Sequence, residues 1–186
     1  SLREVIAMAK DSPGKLTYAS IGAGTTSHIA GEYLNAVAGI AITHVPYTGA
    51  APAIRDVTGG HVDMTYTTAI LSQVRAGVFR AIAVTSASRT TVAPDIPTFE
   101  EAGLPGFDTA IWFGLLAPKG TPAAVITRLA DEMKQAKSSG LLAKRLGAAG
   151  QEADIPVSTP AEFRAFIVKE IDKWRIIVGK THVRAE

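Results

Sequence analysis

Residues Leu16–His28, LTYASIGAGTTSH, pass from an apolar run through a Gly-X-Gly turn into three hydroxyl residues. That order dictates a strand, a glycine turn and the first turn of a helix. Several backbone N–H groups then aim at one point, because the first N–H groups of a helix have no intrahelical acceptor and its dipole adds partial positive charge. An anion is favoured there, and Thr25, Thr26 and Ser27 add hydroxyl donors.

The same rhythm recurs through the first half of the chain. Leu2, Val5, Ile6 and Ala9 form a helical stripe over residues 2–10, closed by Ser12-Pro13-Gly14. Strands are predicted at Leu16–Ser20, Ile42–Val45, Val62–Tyr66 and Arg80–Thr85, with helices at Ser27–Val37, Ala51–Val57 and Ile70–Ala76. Strands alternating with helices through short connections predict an α/β fold with a parallel-rich sheet flanked by helices. Ligands of such sheets bind at the carboxyl ends of the strands. That rule singles out loops 20–28, 46–50 and 66–70.

Beyond residue 88 the pattern changes. Arg89–Gly106 is rich in Pro and Gly and suits an ordered excursion across a surface. Ile111–Ala117 (IWFGLLA) reads as an apolar strand ending at Pro118, and helices follow at Pro122–Ser138, Leu141–Gly147 and Ala161–Val178. Thr121 is expected to cap the first of these, with Pro122 at its first helical position. Ser158-Thr159-Pro160 opens the last, whose stripe is Phe163, Phe166, Ile167, Ile171, Trp174 and Val178. Trp112 and Trp174 are expected to serve the core.

Composition excludes several classes. With 47% hydrophobic residues the chain is not disordered, and a net charge of +2 is too small for a nucleic-acid surface. No cysteine is present, so thiolate chemistry and disulfides are excluded. No apolar run approaches the roughly 18 residues a membrane span needs. The opening Ser1-Leu2-Arg3-Glu4 is a capping-box pattern, so the chain begins on a helix cap, as a fragment would.

The chemistry of the turns is narrow. A dinucleotide fingerprint needs a third glycine where Ser27 stands, and an acid near the end of the next strand, where His44-Val45-Pro46 has none. No Gly-Lys-Ser/Thr follows the turn, so it is not a P-loop. A glycine turn needed only for close packing remains an alternative to small-anion binding. His28, His44, His61 and His182 lack metal-ligand spacing. His28 falls in the first helical turn, where it could donate to an anion or simply pack at the cap. Ser20, His28 and Asp63 could form a triad on paper, but Ser20 lacks the Gly-X-Ser-X-Gly elbow that exposes a nucleophile. Tyr47-Thr48-Gly49-Ala50 and Tyr66-Thr67-Thr68 supply an aromatic face, a permissive glycine and further hydroxyls. None of the three turns carries Asp, Glu, Lys or Arg, which suits hydrogen-bonded recognition and not acid–base catalysis.

These turns, in this order, resemble the Bug (TctC-like) family of periplasmic solute receptors of tripartite tricarboxylate transporters. The resemblance runs through SLREVIAMAK, PGKLTYASIGAGTTSHIAGEYL, THVPYTGAAPAIRDVTGGHVDM, RAIAVTSASR, PDIPTFEEAGLPGF, WFGLLAPKGTP and STPAEFRAFIVKEIDKW. It implies a two-lobed fold of the type II periplasmic-binding-protein kind, closing on a carboxylated small molecule and delivering it to membrane transporter subunits or acting as an orphan receptor. No enzymatic activity, cofactor, metal or nucleic-acid partner is implied. The implied ligand contacts are Ser20, Gly22, Gly24, Thr25, Thr26 and His28, with Tyr47, Gly49 and Ala50 from the second loop and Thr67 from the third. Family members often carry an acidic or amide pair where Thr67 and Thr68 stand here, so an amino-acid ligand with a free ammonium group is less supported. An α/β enzyme or nucleotide-binding domain reusing the same anion site is the alternative.

The resemblance also implies that about a hundred mature residues, the size of a small domain, precede Ser1 in a full member. The chain is then expected to hold the complete second lobe over residues 1–108, with residues 109–186 as the crossover strand and helices of the first. The apolar faces of IWFGLLA and of the Phe163–Val178 stripe should stand exposed, which predicts self-association.

Overall fold

The computed structural model describes residues 1–148, 151, 159–181 and 183. Ser158 and His182 lie outside the described residues. One compact unit comprises Ser1–Ile111 and Ile176–Glu186, and the other comprises Trp112–Arg175.

The first unit is built as α1 (Leu2–Asp11), β1 (Thr17–Ser20), α2 (Thr26–Ala38), β2 (Thr43–Pro46), α3 (Ala50–Thr58), β3 (Met64–Thr65) and α4 (Leu71–Arg75). The capping box at Ser1 and Glu4 forms as its sequence pattern dictates. The three strands make a parallel sheet in the order β2-β1-β3, so β1 is central. Tyr18 pairs with His44, and Ser20 with Pro46, which sets the carboxyl ends of β1 and β2 side by side. Asn35 fixes the entry to β2: its side-chain amide donates to the Ile42 carbonyl and accepts from the Ile42 N–H, both at 2.9 Å.

The helices cover the sheet with buried side chains. Tyr18 and Ala19 from β1 and Ala30, Tyr33 and Leu34 from α2 are buried, and Phe107 stacks on Phe99 at 4.2 Å with Tyr33 at its side. The sheet and α2 meet closely at Gly31, where a Cβ would fall 2.2 Å from the Tyr18 ring. Only glycine lets the Tyr18 phenol pass beneath this helix.

Five expectations need correction. Val62–Tyr66 contracts to a two-residue strand, Met64–Thr65. Arg80–Thr85 forms no strand: Val84 makes a single bridge to Thr98, and the chain nearby is held by Thr109 N–H donating to the Thr85 carbonyl. A β-branched run needs a neighbour along its whole length, and this one finds a partner at one residue.

The third correction is Ile111–Ala117, which has no strand partner among the described residues. In the second unit Trp112 packs edge-on against Phe163 and Phe166, at 5.7 and 5.3 Å. Ile111, Phe113, Leu115 and Leu116 are exposed, Phe113 at 76% and Leu116 at 78%.

The fourth concerns helix starts. α5 (Ala123–Ser138) begins after Pro122, which occupies the cap, while Thr121 donates its hydroxyl to the Pro118 carbonyl at 2.9 Å. Closing that preceding turn removes Thr121 from the helix. α6 (Leu141–Ala148) and α7 (Pro160–Lys180) follow. Trp112 and Trp174 are half-buried, and both indole N–H groups converge on one carboxylate oxygen of Glu170, at 3.0 and 3.2 Å. Val178, assigned to the α7 stripe, is exposed, and its neighbour Ile177 is buried instead.

Candidate functional site

The turn between β1 and α2 is wired internally. Gly22 and Gly24 sit at φ 141° and 72°, backbone that side chains rarely adopt, so both positions demand glycine. The Ser20 hydroxyl lies at the centre. It is 0% exposed, accepts from the Gly22 N–H at 3.2 Å and stands 2.6 Å from His44 Nε2. Thr25 donates its hydroxyl to the Gly22 carbonyl at 2.6 Å, and Ser27 Oγ accepts from the Ile21 N–H at 3.2 Å. Ser20 and Thr25 therefore hold the turn in shape.

No side chain caps α2 at Thr25, or α3 at Gly49. The first N–H groups of each helix are left without an intrahelical acceptor. Both helices start at the carboxyl ends of adjacent strands. The Tyr47 N–H donates to the Ser20 carbonyl at 3.0 Å, which ties the second loop to the first. The Thr26 hydroxyl has no partner among the described residues. A Cβ on Gly24 or Gly49 would meet nothing within 4 Å, so neither glycine is demanded by crowding.

His28 is half-buried, and its Nδ1 accepts from the Gly24 N–H at 3.0 Å. Its ring lies face to face with that of His44, 3.9 Å apart and 10° from parallel, and His44 stacks in turn on Tyr18. The Tyr18 hydroxyl reaches the His28 carbonyl at 3.1 Å and Glu32 Oε1 at 2.7 Å. Burial disfavours the imidazolium form of His44 and lowers its pKa, His28 adds to this, and Glu32 opposes it. Burial pushes the Tyr18 phenol well up, and the hydrogen bond to Glu32 adds to the effect.

Sequence reasoning missed His44, the partner that Ser20 takes in place of His28. The signal lay in the register: once Tyr18 pairs with His44, residues 18, 20 and 44 share one face of the sheet. It also missed Asp56, which accepts from the Tyr47 hydroxyl at 2.7 Å and is the main cause that raises the Tyr47 pKa. A carboxylate thus stands beside a loop that carries none of its own. Asp63 accepts from the Thr17 N–H and hydroxyl, both at 2.8 Å, at the other end of β1, so the paper triad is not assembled. In the third loop the Thr67 hydroxyl accepts from the Ala69 N–H at 3.2 Å. Ala50 is the first residue of α3. Among the described residues, no cluster of His, Asp or Glu could hold a metal ion.

A parallel α/β sheet whose strand ends present uncapped helix starts and glycine turns defines a class of binding modules for small anions. The family model for the tripartite tricarboxylate transporter family receptor, TctC, matches residues 1–183, and the chain belongs to this family. Protein BugT of Bordetella pertussis is 36% identical over 183 residues, covering 97% of this chain and 56% of BugT. Among solved structures, R. palustris Rpa4515 with adipate is 32% identical, with a TM-score of 0.80 over 97% of this chain and 60% of that one. MatC (Rpa3494) from Rhodopseudomonas palustris with bound malate is 28% identical, with a TM-score of 0.77 over 96% of this chain and 62% of that one. The chain spans little more than half the length of BugT and of a UPF0065 protein of Pseudomonas sp. (strain P51) that it also matches. Its fold is that of the periplasmic binding proteins, and the family's members are periplasmic solute-binding proteins.

Proposed function

We propose that this chain is the carboxylate-gripping part of an extracytoplasmic receptor, which binds a small mono- or dicarboxylate and delivers it to a tripartite tricarboxylate-type transporter in the membrane or acts as an orphan sensor. The observation that carries the reading is the uncapped start of α2 behind the Gly22–Gly24 turn, beside the uncapped start of α3, in a chain of this family. The adipate and malate in the two related structures support a carboxylate over other anions.

The ligand carboxylate takes the N–H groups of the first turn of α2, and that of Gly24 once His28 releases it, together with the Thr26 hydroxyl and His28. Tyr47, Gly49, Ala50 and Thr67 complete the contacts. Ser20 and Thr25 act one step behind, by fixing the turn. The site works in the periplasm and performs no chemistry. The exposed apolar side chains of Phe113, Leu115 and Leu116 are where the chain self-associates. Sedimentation at micromolar concentration checks this, and a stable monomer contradicts it.

One observation favours an enzyme: the Ser20–His44 pair at 2.6 Å has the composition of an activated nucleophile. The complete burial of Ser20 counts against it, because no substrate carbon can reach its oxygen. Calorimetry with acetate, malate, adipate, citrate, ATP and NAD separates the readings. Heat from one or more carboxylates and none from the nucleotides is expected. Nucleotide binding with no carboxylate response overturns the proposal.

A further inference from the structure

The Gly24 N–H, one of the donors an anion at this turn would use, is already taken. It donates to His28 Nδ1 at 3.0 Å, four residues on. We propose that His28 is an internal competitor for that donor, so that carboxylate binding at this turn is accompanied by uptake of a proton on His28. This rests on the carboxylate reading of the site and adds its regulation.

The accepting role fixes the chemistry of the ring. A nitrogen that accepts a hydrogen bond carries no proton, so neutral His28 bears its hydrogen on Nε2. A single N–H cannot serve Nδ1 and a carboxylate oxygen at full strength. Protonating Nδ1 turns the acceptor into a second donor facing the Gly24 N–H, and the contact breaks. The Gly24 N–H is then free for the anion, and the imidazolium adds positive charge beside it. Both effects strengthen anion binding as pH falls.

The neighbours decide which ring takes the proton. His44 lies face to face with His28 at 3.9 Å, so two imidazolium charges would repel strongly. His44 is bonded to Ser20 behind the turn. The ligand-side ring is His28. The other groups around the pair are Tyr18 from β1, Tyr66 beyond β3 and Glu32 one turn along α2. Tyr18 donates to the His28 carbonyl and to Glu32, and Tyr66 meets Tyr18 edge-on at 5.9 Å. Both phenols are neutral throughout the range of imidazole titration. Glu32 favours the charged form of the neighbouring His44, against the larger effects of burial and His28.

The test is calorimetry of malate binding at pH 7 in two buffers of different ionisation enthalpy, repeated from pH 8 to 6.5, where the dicarboxylate stays ionised. Net uptake of a fraction of a proton per malate is expected, with affinity rising by about fivefold over that range, the low end of ordinary linkage between sites. In His28→Gln, whose side-chain carbonyl can accept from Gly24 without titrating, uptake vanishes and the pH profile flattens. Should that variant misfold, the Gly24 amide resonance of the unaltered chain serves instead, and it must follow the His28 ring signals through the titration. Malate binding with no proton exchange, the same uptake in His28→Gln, or a Gly24 amide indifferent to the ring overturns this inference alone. No binding of malate or adipate at either pH overturns the site reading with it.

Discussion

Gly31→Ala tests whether the helix that presents the site is seated by a single missing Cβ. In the folded chain that Cβ would stand 2.2 Å from both Cε2 and Cζ of Tyr18 and 2.8 Å from Cδ2. Ordinary contact begins near 3.4 Å, so the ring or the helix must move by more than an ångström. Tyr18 is 1% exposed and stacked on His44, which leaves the ring no space to retreat. Overpacking of this kind costs about 1–3 kcal/mol. Displacing the phenol also strains the bond that its single O–H makes to Glu32 and shares with the His28 carbonyl, worth about 1 kcal/mol. Alanine's better helix propensity returns about 1 kcal/mol. The net expectation is a loss of about 1–3 kcal/mol, read as a lower urea midpoint by far-ultraviolet circular dichroism with unchanged slope. The control is the same change in a Tyr18→Leu background, where the clashing ring atoms are absent and Gly31→Ala should cost nothing or stabilise. Equal losses in the two backgrounds would refute the steric account.

Thr26→Val should weaken carboxylate binding by about 1–3 kcal/mol, as expected for losing a donor to a charged group, with little change in the urea midpoint. Thr25→Val should instead lower stability by about 1 kcal/mol through its lost bond to the Gly22 carbonyl, which paired calorimetry and denaturation will separate. Burial depresses the His44 pKa, so the unfolded chain binds more protons once pH falls below the ordinary imidazole value of about 6.5. The stability His44 contributes is therefore complete above that value and is lost as pH falls through it toward the depressed folded value. Urea midpoints should drop from pH 8 to 5.5, and less so in His44→Gln. Glu101 is held low by the Thr98 N–H and by Arg89, so its contribution persists until pH falls below the ordinary carboxylate value. Glu170→Ala should strand the indole N–H groups of Trp112 and Trp174, lowering stability by about 2–4 kcal/mol and shifting tryptophan emission to longer wavelength.

The elements that carry the site were legible because their signals are local. Gly22 and Gly24 demand a left-handed turn, Thr26 begins a helix whose stripe is plain, and Pro46 ends a strand. Each follows from residues within one turn of itself. Ile111–Ala117 and Arg80–Thr85 misled for the opposite reason, since an apolar or a β-branched run states a preference while a strand requires a partner. Thr121 misled more subtly: its hydroxyl closes the preceding turn onto the Pro118 carbonyl and does not cap α5. His44 was invisible as a site residue because its place beside Ser20 depends on the β1–β2 register. Asp56 reaches Tyr47 across nine residues and a helix start, a distance at which sequence spacing carries no information.

The central claim is that the Gly22–His28 turn and the start of α3 form one carboxylate site. Backbone amide shifts recorded while malate, then adipate, is titrated into the labelled protein test it most directly. The largest changes are predicted at Gly22, Gly24, Thr26, Ser27 and His28, with a second group at Tyr47–Ala50. Shifts confined to α5–α7, or none at saturating concentrations of both acids, would contradict it.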